Sequence, residues 1–425
     1  MTHDKTFFVD AHRKTAKHSS KVHHPSSSTK PSPGPQQTFL ELTTPQFVQN
    51  VTSAFLAADI PLHKLEHPAI KDLFKTMGHA PPTVYACRKQ VSAIFEKEKK
   101  QIIDAVSEKK VFLIIDEANV GGTKYFNVLV GDYEKPDKTW LWDCVPLDCN
   151  LDNGKVCQLV DDAIRELSIQ RSNFLLLISD AARYMTLAGS VLKSLNPNLF
   201  HVTCAAHLLH NCAMKIQSFF KEIYSVIATM KALTIKNKDR RNQFAEIGLS
   251  IPHPVITRWG TWLTAAVWYS HNFPKVKEII DSMEGEGLLL TRAKSAINNP
   301  EVTNQLCEIM NYSCLIDMTN RFESSQIALK DGIDELNNIH FHSDPCSIKA
   351  YIQKRVNASD FETILKMRRE NISPADYALL QRAQPTSTAV ERSFSILKSI
   401  LRLNRPFKAE NVRKYIVLAY NHSYD

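Results

Sequence analysis

The sequence holds no apolar run of the roughly eighteen residues that a membrane-spanning helix needs, so no membrane partner is expected. The amino terminus, MTHDKTFFVDAHRK, lacks the apolar core of a secretory signal, and none is expected. Cysteine is sparse: nine are spread through 425 residues, the first being Cys87, and they read as intracellular thiols, with no disulfide framework expected. No internal repeat is visible. Charge of one sign is only modestly in excess, 52 Lys plus Arg against 44 Asp plus Glu, and the resulting +8 leans toward a polyanionic partner. What is present, 44% hydrophobic and 23% charged residues, excludes collagen-like and wholly disordered classes, and the length implies two or three domains.

Residues 1–42 read as a disordered basic tail. The first forty hold six Lys or Arg, two Asp, five His and a Ser/Pro-rich run from His24, a composition that cannot assemble a core. His12 and His18 are spaced like the rear ligands of a zinc finger, but the two upstream cysteines that a tetrahedral site needs are missing. Residues 43–108 read as a helical module. Thr44 is its expected N-cap and Pro45 its first helical residue, with Phe47, Val48, Val51, Phe55 and Leu56 on one stripe. Two more helices are expected, around Ala69 to Met77 and Thr83 to Val106, with Lys97, Lys99 and Lys100 on a solvated face.

At Lys109 the rhythm changes. VFLIIDEA, KYFNVLVGDY and TWLWDCVPL, separated by Gly121–Gly122 and Pro136–Asp137, predict a three-stranded meander. Val156, Leu159, Val160, Ala163, Ile164 and Leu167 then fall at helical spacing, NFLLLIS reads as a fully buried strand, Ala181 to Leu195 as a helix and LFHVTC as a strand. The order β-β-β-α-β-α-β is that of a ribonuclease-H-like domain, an α/β fold with a mixed sheet. Its first part is placed at 109–220 and an all-α insertion at 221–380, where a looser stretch, 340–385, carries several helix breakers. The end of the core, with a helix from about Thr388 to Leu403, is placed at 381–425, and VRKYIVLAYN closes the chain as a helix or short strand.

Asp116 ends the first predicted strand and Asp180 the fourth, so this topology brings the two carboxylates out side by side, where hard oxygen ligands suit magnesium or manganese. Glu391 is the candidate third acid; Val390, Phe394, Leu397 and Leu401 form the stripe that would pin its helix on the sheet. Each acid also has an ordinary explanation. Asp180 can cap the helix at AARYM, Asp116 can simply end a strand, and Thr388 with Glu391 is a capping box. His201, Cys204, His207, His210 and Cys212 suggest zinc, but their spacing along one helix drifts around it and cannot wrap four ligands on one ion, so zinc is not expected.

IIDEAN at Asp116, SDAARYM at Asp180, CAAHLLH from Cys204, TRW ending at Trp259 and TSTAVERSFS around Glu391 resemble, in order, the motifs of the hAT (hobo, Activator, Tam3) transposases. The resemblance runs from about residue 45 to the C-terminus. AADIPLHKLEHPAIKDLF is also similar to a helical segment of CGG triplet repeat-binding protein 1, a hAT-derived DNA binder. The resemblance implies that Asp116, Asp180 and Glu391 bind two magnesium (or manganese) ions, that Cys204 and His207 are the Cys-x-x-His pair beside them, and that Arg258 and Trp259 meet a flipped base. FFVDAHRKTAKH would be the rear half of a BED-type zinc finger, and the insertion looks shorter than in active members. The implied protein is nuclear, binds double-stranded DNA and self-associates through its C-terminal segment. Either its acids cleave phosphodiesters, or it is a catalytically silent DNA-binding and dimerising regulator. Arg392, Lys398, Arg402, Arg405, Lys408, Arg413 and Lys414 are the expected backbone contacts, and the C-terminal apolar residues, Phe394, Leu397, Leu401 and Ile416 to Leu418, the expected self-association surface.

Overall fold

The computed structural model describes residues 45–255, 260–285, 287–324, 327–370, 372–403 and 408–422. The tail 1–42 with its finger remnant, the Thr44 cap, Arg258, Trp259 and Arg405 lie outside the described residues. The chain divides into two units, Met1–Phe47 and Val48–Asp425, and the core, the helical region and the C-terminal helices all belong to the second.

Helix α1 (Pro45–Ala57) buries Val51, Thr52 and Leu56, and α2 (Pro68–Thr76) buries Phe74. Helix α3 (Val84–Val106) starts where the Thr83 hydroxyl accepts the Ala86 N–H at 3.2 Å, and Val91, Ile94, Phe95, Ile102 and Val106 make its buried stripe. Lys97 and Lys100 are solvated as expected, but Lys99 is not. It is 8% exposed, its ammonium donates to the Trp142 carbonyl at 2.7 Å and lies 3.1 Å from the Trp142 ring centre, and burial pushes its pKa down to about 8 against the pull of Asp143.

Strands β1 (Val111–Val120), β2 (Thr123–Asp132) and β3 (Thr139–Leu147) form the expected antiparallel meander. Gly121 and Gly122 adopt φ of 64° and 88°, the double left-handed turn that a two-residue hairpin requires. Helix α4 (Asn153–Glu166), strand β4 (Phe174–Ser179), helix α5 (Arg183–Leu195) and strand β5 (Phe200–Thr203) follow. The five strands form one mixed sheet of order β3-β2-β1-β4-β5, in which β4 runs parallel to β1 and β5 parallel to β4. Leu113, Ile115, Val128 and Val130 pack on one face with Val156, Val160 and Ile164 of α4 and Met185, Ala188 and Leu192 of α5.

The helical region runs through α6 (Ala205–Phe219), α7 (Lys221–Thr234), α8 (Lys238–Ala245), α9 (Thr261–Ser282), α10 (Leu288–Ile297), α11 (Pro300–Ile309), α12 (Cys314–Glu323) and α13 (Leu329–Asn337). Trp262 is buried in it, and Trp268 stacks edge-on against Tyr269, so both are packing residues. The looser stretch resolves into three short helices, α14 (Ile348–Asn357), α15 (Phe361–Leu365) and α16 (Pro374–Arg382), because its breakers are helix starts: Pro374 opens α16 and the Ser373 hydroxyl accepts the Asp376 N–H. Asp360, just before α15, accepts the His201 N–H at 2.8 Å and returns its own N–H to the His201 carbonyl, closing the free edge of β5.

The chain ends in α17 (Thr388–Leu403), packed on β1 and β2, and α18 (Ala409–His422), packed on β3, α3 and α17. The last segment is therefore a helix. Phe394, Leu397, Ile416, Val417 and Leu418 are buried within the chain, and the Asn421 amide bonds both backbone groups of Leu141. Apart from the half-buried Leu401, the apolar residues expected to drive self-association are already covered by this chain's own sheet and helices. Arg413 likewise pairs bidentately with Asp143 at 2.5 and 2.6 Å, and Lys414 with Glu410, so neither is the open DNA contact expected; Arg392, Lys398 and Arg402 are exposed on α17. Among the described residues no helix is long and apolar enough to cross a membrane.

Candidate metal centre

Strand alternation sends successive β1 side chains to opposite faces. Leu113 and Ile115 enter the core under α4 and α5, so Asp116 emerges with Phe112 and Ile114 on the face that α17 covers. Glu117 emerges on the α5 side, where it accepts the Tyr184 hydroxyl at 3.2 Å and pairs with Lys124 at 2.9 Å. The parallel register of β1 and β4 ends at Ile114 and Ile178; two residues beyond each stand Asp116 and Asp180. Asp180 follows the last residue of β4 as expected, but Asp116 does not end β1. It sits in mid-strand opposite Asn127, β1 continues to Val120, and the two acids come together because the β1–β4 pairing stops at Ile114 and Ile178.

Asp116 is 5% exposed, and its Oδ1 accepts the Glu117 N–H at 2.7 Å. Burial raises its carboxyl pKa well above 3.8; Glu391 and Asp180 push the same way, while the His207 cation opposes them. Asp180 is also raised, first by burial and then by Glu117, against the Ala182 N–H and His207. That N–H reaches Asp180 Oδ1 at 3.0 Å, but the helix cap is Ala182, so Asp180 makes a local turn and does not cap the helix.

Glu391 is held from three directions. Val390, Phe394 and Leu397 of α17 are buried as the sequence stripe predicts, and Leu401 is half-buried at its end. The buried Asn127 amide, cross-strand from Asp116, donates to the Ser393 hydroxyl at 2.7 Å and ties the first turns of α17 to β2. Thr388 is the first helical residue, with the Ser387 carbonyl accepting the Glu391 N–H.

Cys204 and His207 stitch the loop before α17 to the sheet. The Cys204 N–H donates to the Ser179 carbonyl at 2.8 Å, the Ala205 N–H to the Pro385 carbonyl at 2.9 Å, and the Ser387 N–H to the Cys204 sulfur at 3.1 Å. His207 Nδ1 lies 3.4 Å from the Ser387 hydroxyl, and Nε2 lies 3.7 Å from Glu391 Oε1. Burial disfavours an imidazolium here, yet the Cys204 sulfur, Asp116 and Glu391 together lift His207 above its ordinary value. Burial would raise the Cys204 thiol, but His207 and the Ser387 N–H draw it down.

Asp116, His207 and Glu391 each offer a ligand atom, all within 4.8 Å of one another, and they are the only such His, Cys, Asp or Glu set among the described residues. Two carboxylate oxygens and an imidazole nitrogen are a donor set that fits a dication. Asp180 stands beside this set without joining it. The cysteine–histidine series is not carried on one helix: His201 lies on β5, bonded to Ser179 at 2.9 Å, Cys204 precedes α6, and only His207, His210 and Cys212 are helical. Sequence reasoning paired His207 with the active site as a neighbour; it missed Asn127, Ser387 and Ser393, which carry no signal beyond their place near the acids. No protein-family model and no curated protein sequence matches the chain.

Proposed function

We propose that this chain is a hAT-transposase-derived, nuclear DNA-binding protein with a ribonuclease-H-like core, whose acids cleave phosphodiester bonds with a divalent metal. The observation that carries the reading is that Asp180 and Glu391, from two other segments, both lie near enough to act on the buried Asp116 carboxyl where the parallel pairing of β1 and β4 stops, in a sheet of order β3-β2-β1-β4-β5. Asp116 and Glu391 would hold the metal, which when bound acidifies water and stabilises the leaving oxygen. Asp180, with Oδ1 engaged by the Ala182 N–H, would accept through Oδ2 the proton that the attacking water gives up. Asn127 and Ser393 fix the separation of β2 from α17 and thereby orient Glu391. The exposed Arg392, Lys398 and Arg402 follow one another along α17 and supply phosphate contacts flanking the acids.

One observation favours the catalytically silent alternative: His207, 3.7 Å from Glu391 and, against burial, drawn toward its protonated form by Cys204, Asp116 and Glu391, would offset one of the two acidic charges without any metal. Nicking of supercoiled DNA by the purified protein in magnesium or manganese separates the two. The catalytic reading expects nicking that Asp116→Asn and Asp180→Asn abolish while duplex binding persists. Binding without nicking selects the silent regulator, and no duplex binding at all overturns both.

A further inference from the structure

We propose that Asp116, His207 and Glu391 form a binding site for a borderline transition-metal dication of the zinc type, with His207 Nε2 as a direct ligand, and that this site discriminates against magnesium. The site shares its acids with the proposed function but is argued from binding geometry alone.

The two nitrogens of His207 have separate surroundings. The Nδ1 edge lies 3.4 Å from the Ser387 hydroxyl and the ring shares a hydrogen bond with the Cys204 sulfur, which itself accepts the Ser387 N–H. Metal-ligating histidines are oriented in this way, the rear N–H held by a partner so that the front lone pair faces the ion. Nε2 lies toward Glu391 at the start of α17, and the ring offers a nitrogen within 4.8 Å of a carboxylate oxygen of both Glu391 and Asp116, the latter in mid-β1. The 3.7 Å separation of Nε2 from Glu391 Oε1 is beyond hydrogen-bond reach, whereas the 3.4 Å contact of Nδ1 with Ser387 is a long hydrogen bond. The Nε2–Oε1 separation is close to the roughly 3.4 Å that separates two tetrahedral ligands held at about 2.1 Å from one ion.

The donor types decide the class of metal. Magnesium demands an octahedral oxygen shell and keeps most of its water, whereas an imidazole beside carboxylates suits zinc and its neighbours. Three protein ligands would leave a fourth tetrahedral position open. Asp180 is outside the mutually close set, so it is not required for this ion to bind.

Calorimetric titration of the DNA-free full chain with zinc, manganese and magnesium tests this. One zinc per chain is expected, bound at least about a hundredfold more tightly than magnesium. His207→Gln should weaken zinc by more than about tenfold, since even a supporting partner of a metal ligand accounts for that much. It should leave magnesium within about threefold, and Asp180→Asn should still bind one zinc. Equal affinity for magnesium and zinc, or zinc binding unchanged by His207→Gln, overturns the proposal. Should His207→Gln fail to fold, X-ray absorption of the zinc-loaded natural chain decides: one imidazole with oxygens otherwise is expected, and sulfur or no imidazole in the shell refutes it. Zinc bound as expected without DNA cleavage in any metal sinks the nuclease reading and leaves this site standing.

Discussion

Asp116→Asn should reverse its effect on stability according to whether metal is bound. Without metal, burial first and then Glu391 and Asp180 hold the Asp116 carboxyl pKa well above its ordinary 3.8. Below about pH 3.8 the group is protonated in both the folded and unfolded chain and contributes nothing. Above that value the unfolded chain releases the proton first, and folding loses about 1.4 kcal/mol for each further pH unit until the folded-state pKa is passed. Asparagine keeps an oxygen for the Glu117 N–H but carries no such penalty. The melting temperature of the variant minus that of the natural chain should therefore be near zero at pH 4 and rise with pH in chelator until the folded-state pKa is passed. Metal at a hundredfold over its dissociation constant should then add about 2.7 kcal/mol to the natural chain alone. With an unfolding entropy of about 2.1 cal/mol/K per residue, a protein of this size gains about 3 °C. Differential scanning calorimetry between pH 4 and 8, with and without metal, gives both readings. A variant less stable than the natural chain at every pH in chelator, or one that keeps the full metal-induced rise, would refute a buried, mutually repelling acid site.

Burial pushes the His201 pKa down to about 4, against the pull of Asp360, so its neutral form supports the fold above pH 6.5 and that support is lost as pH falls from 6.5 toward 4. The full loss is about 3 kcal/mol, and urea unfolding of His201→Gln at pH 7 and pH 5 should show a correspondingly flatter acid limb. Arg413→Ala leaves Asp143, 11% exposed, without its bidentate partner; allowing for an Arg413 side chain 37% exposed, about 2 kcal/mol should be lost. The salt dependence of duplex binding should not change with it, whereas Arg392→Ala and Lys398→Ala should each reduce the logarithmic salt slope by about one. A double-mutant cycle of Asn127→Ala and Ser393→Ala should give a coupling of about 1 kcal/mol in chemical denaturation; additivity would show that this bond does not hold α17.

The meander and the two parallel strands were legible because their signals are local. Continuous apolar runs such as VFLII and FLLLI mark buried strands, and a double glycine supplies the left-handed turn between two of them, but the apolar run understated β1, which continues through Asp116 to Val120 because β2 pairs with it to the hairpin. The apolar stripe of α17 was legible for the same reason: helical periodicity states which face will be covered. Periodicity does not state what covers it. The apolar C-terminal residues read as a surface awaiting a second chain, and only the packing of α18 on β3 and α3 showed that this chain supplies the cover. Lys99 read as solvated because charge predicts water, and the Trp142 ring and carbonyl that bury it come from a strand far along the sequence. At the acid site, sequence placed Asp116 and Asp180 side by side, since two parallel strands need only the ends of their apolar runs compared. It could not tell which nitrogen of His207 would face the carboxylates, because the loop carrying Ser387 fixes that ring only after sheet and C-terminal helix have come together. The choice of Asp116, His207 and Glu391 as the closest set thus belongs to the tertiary structure.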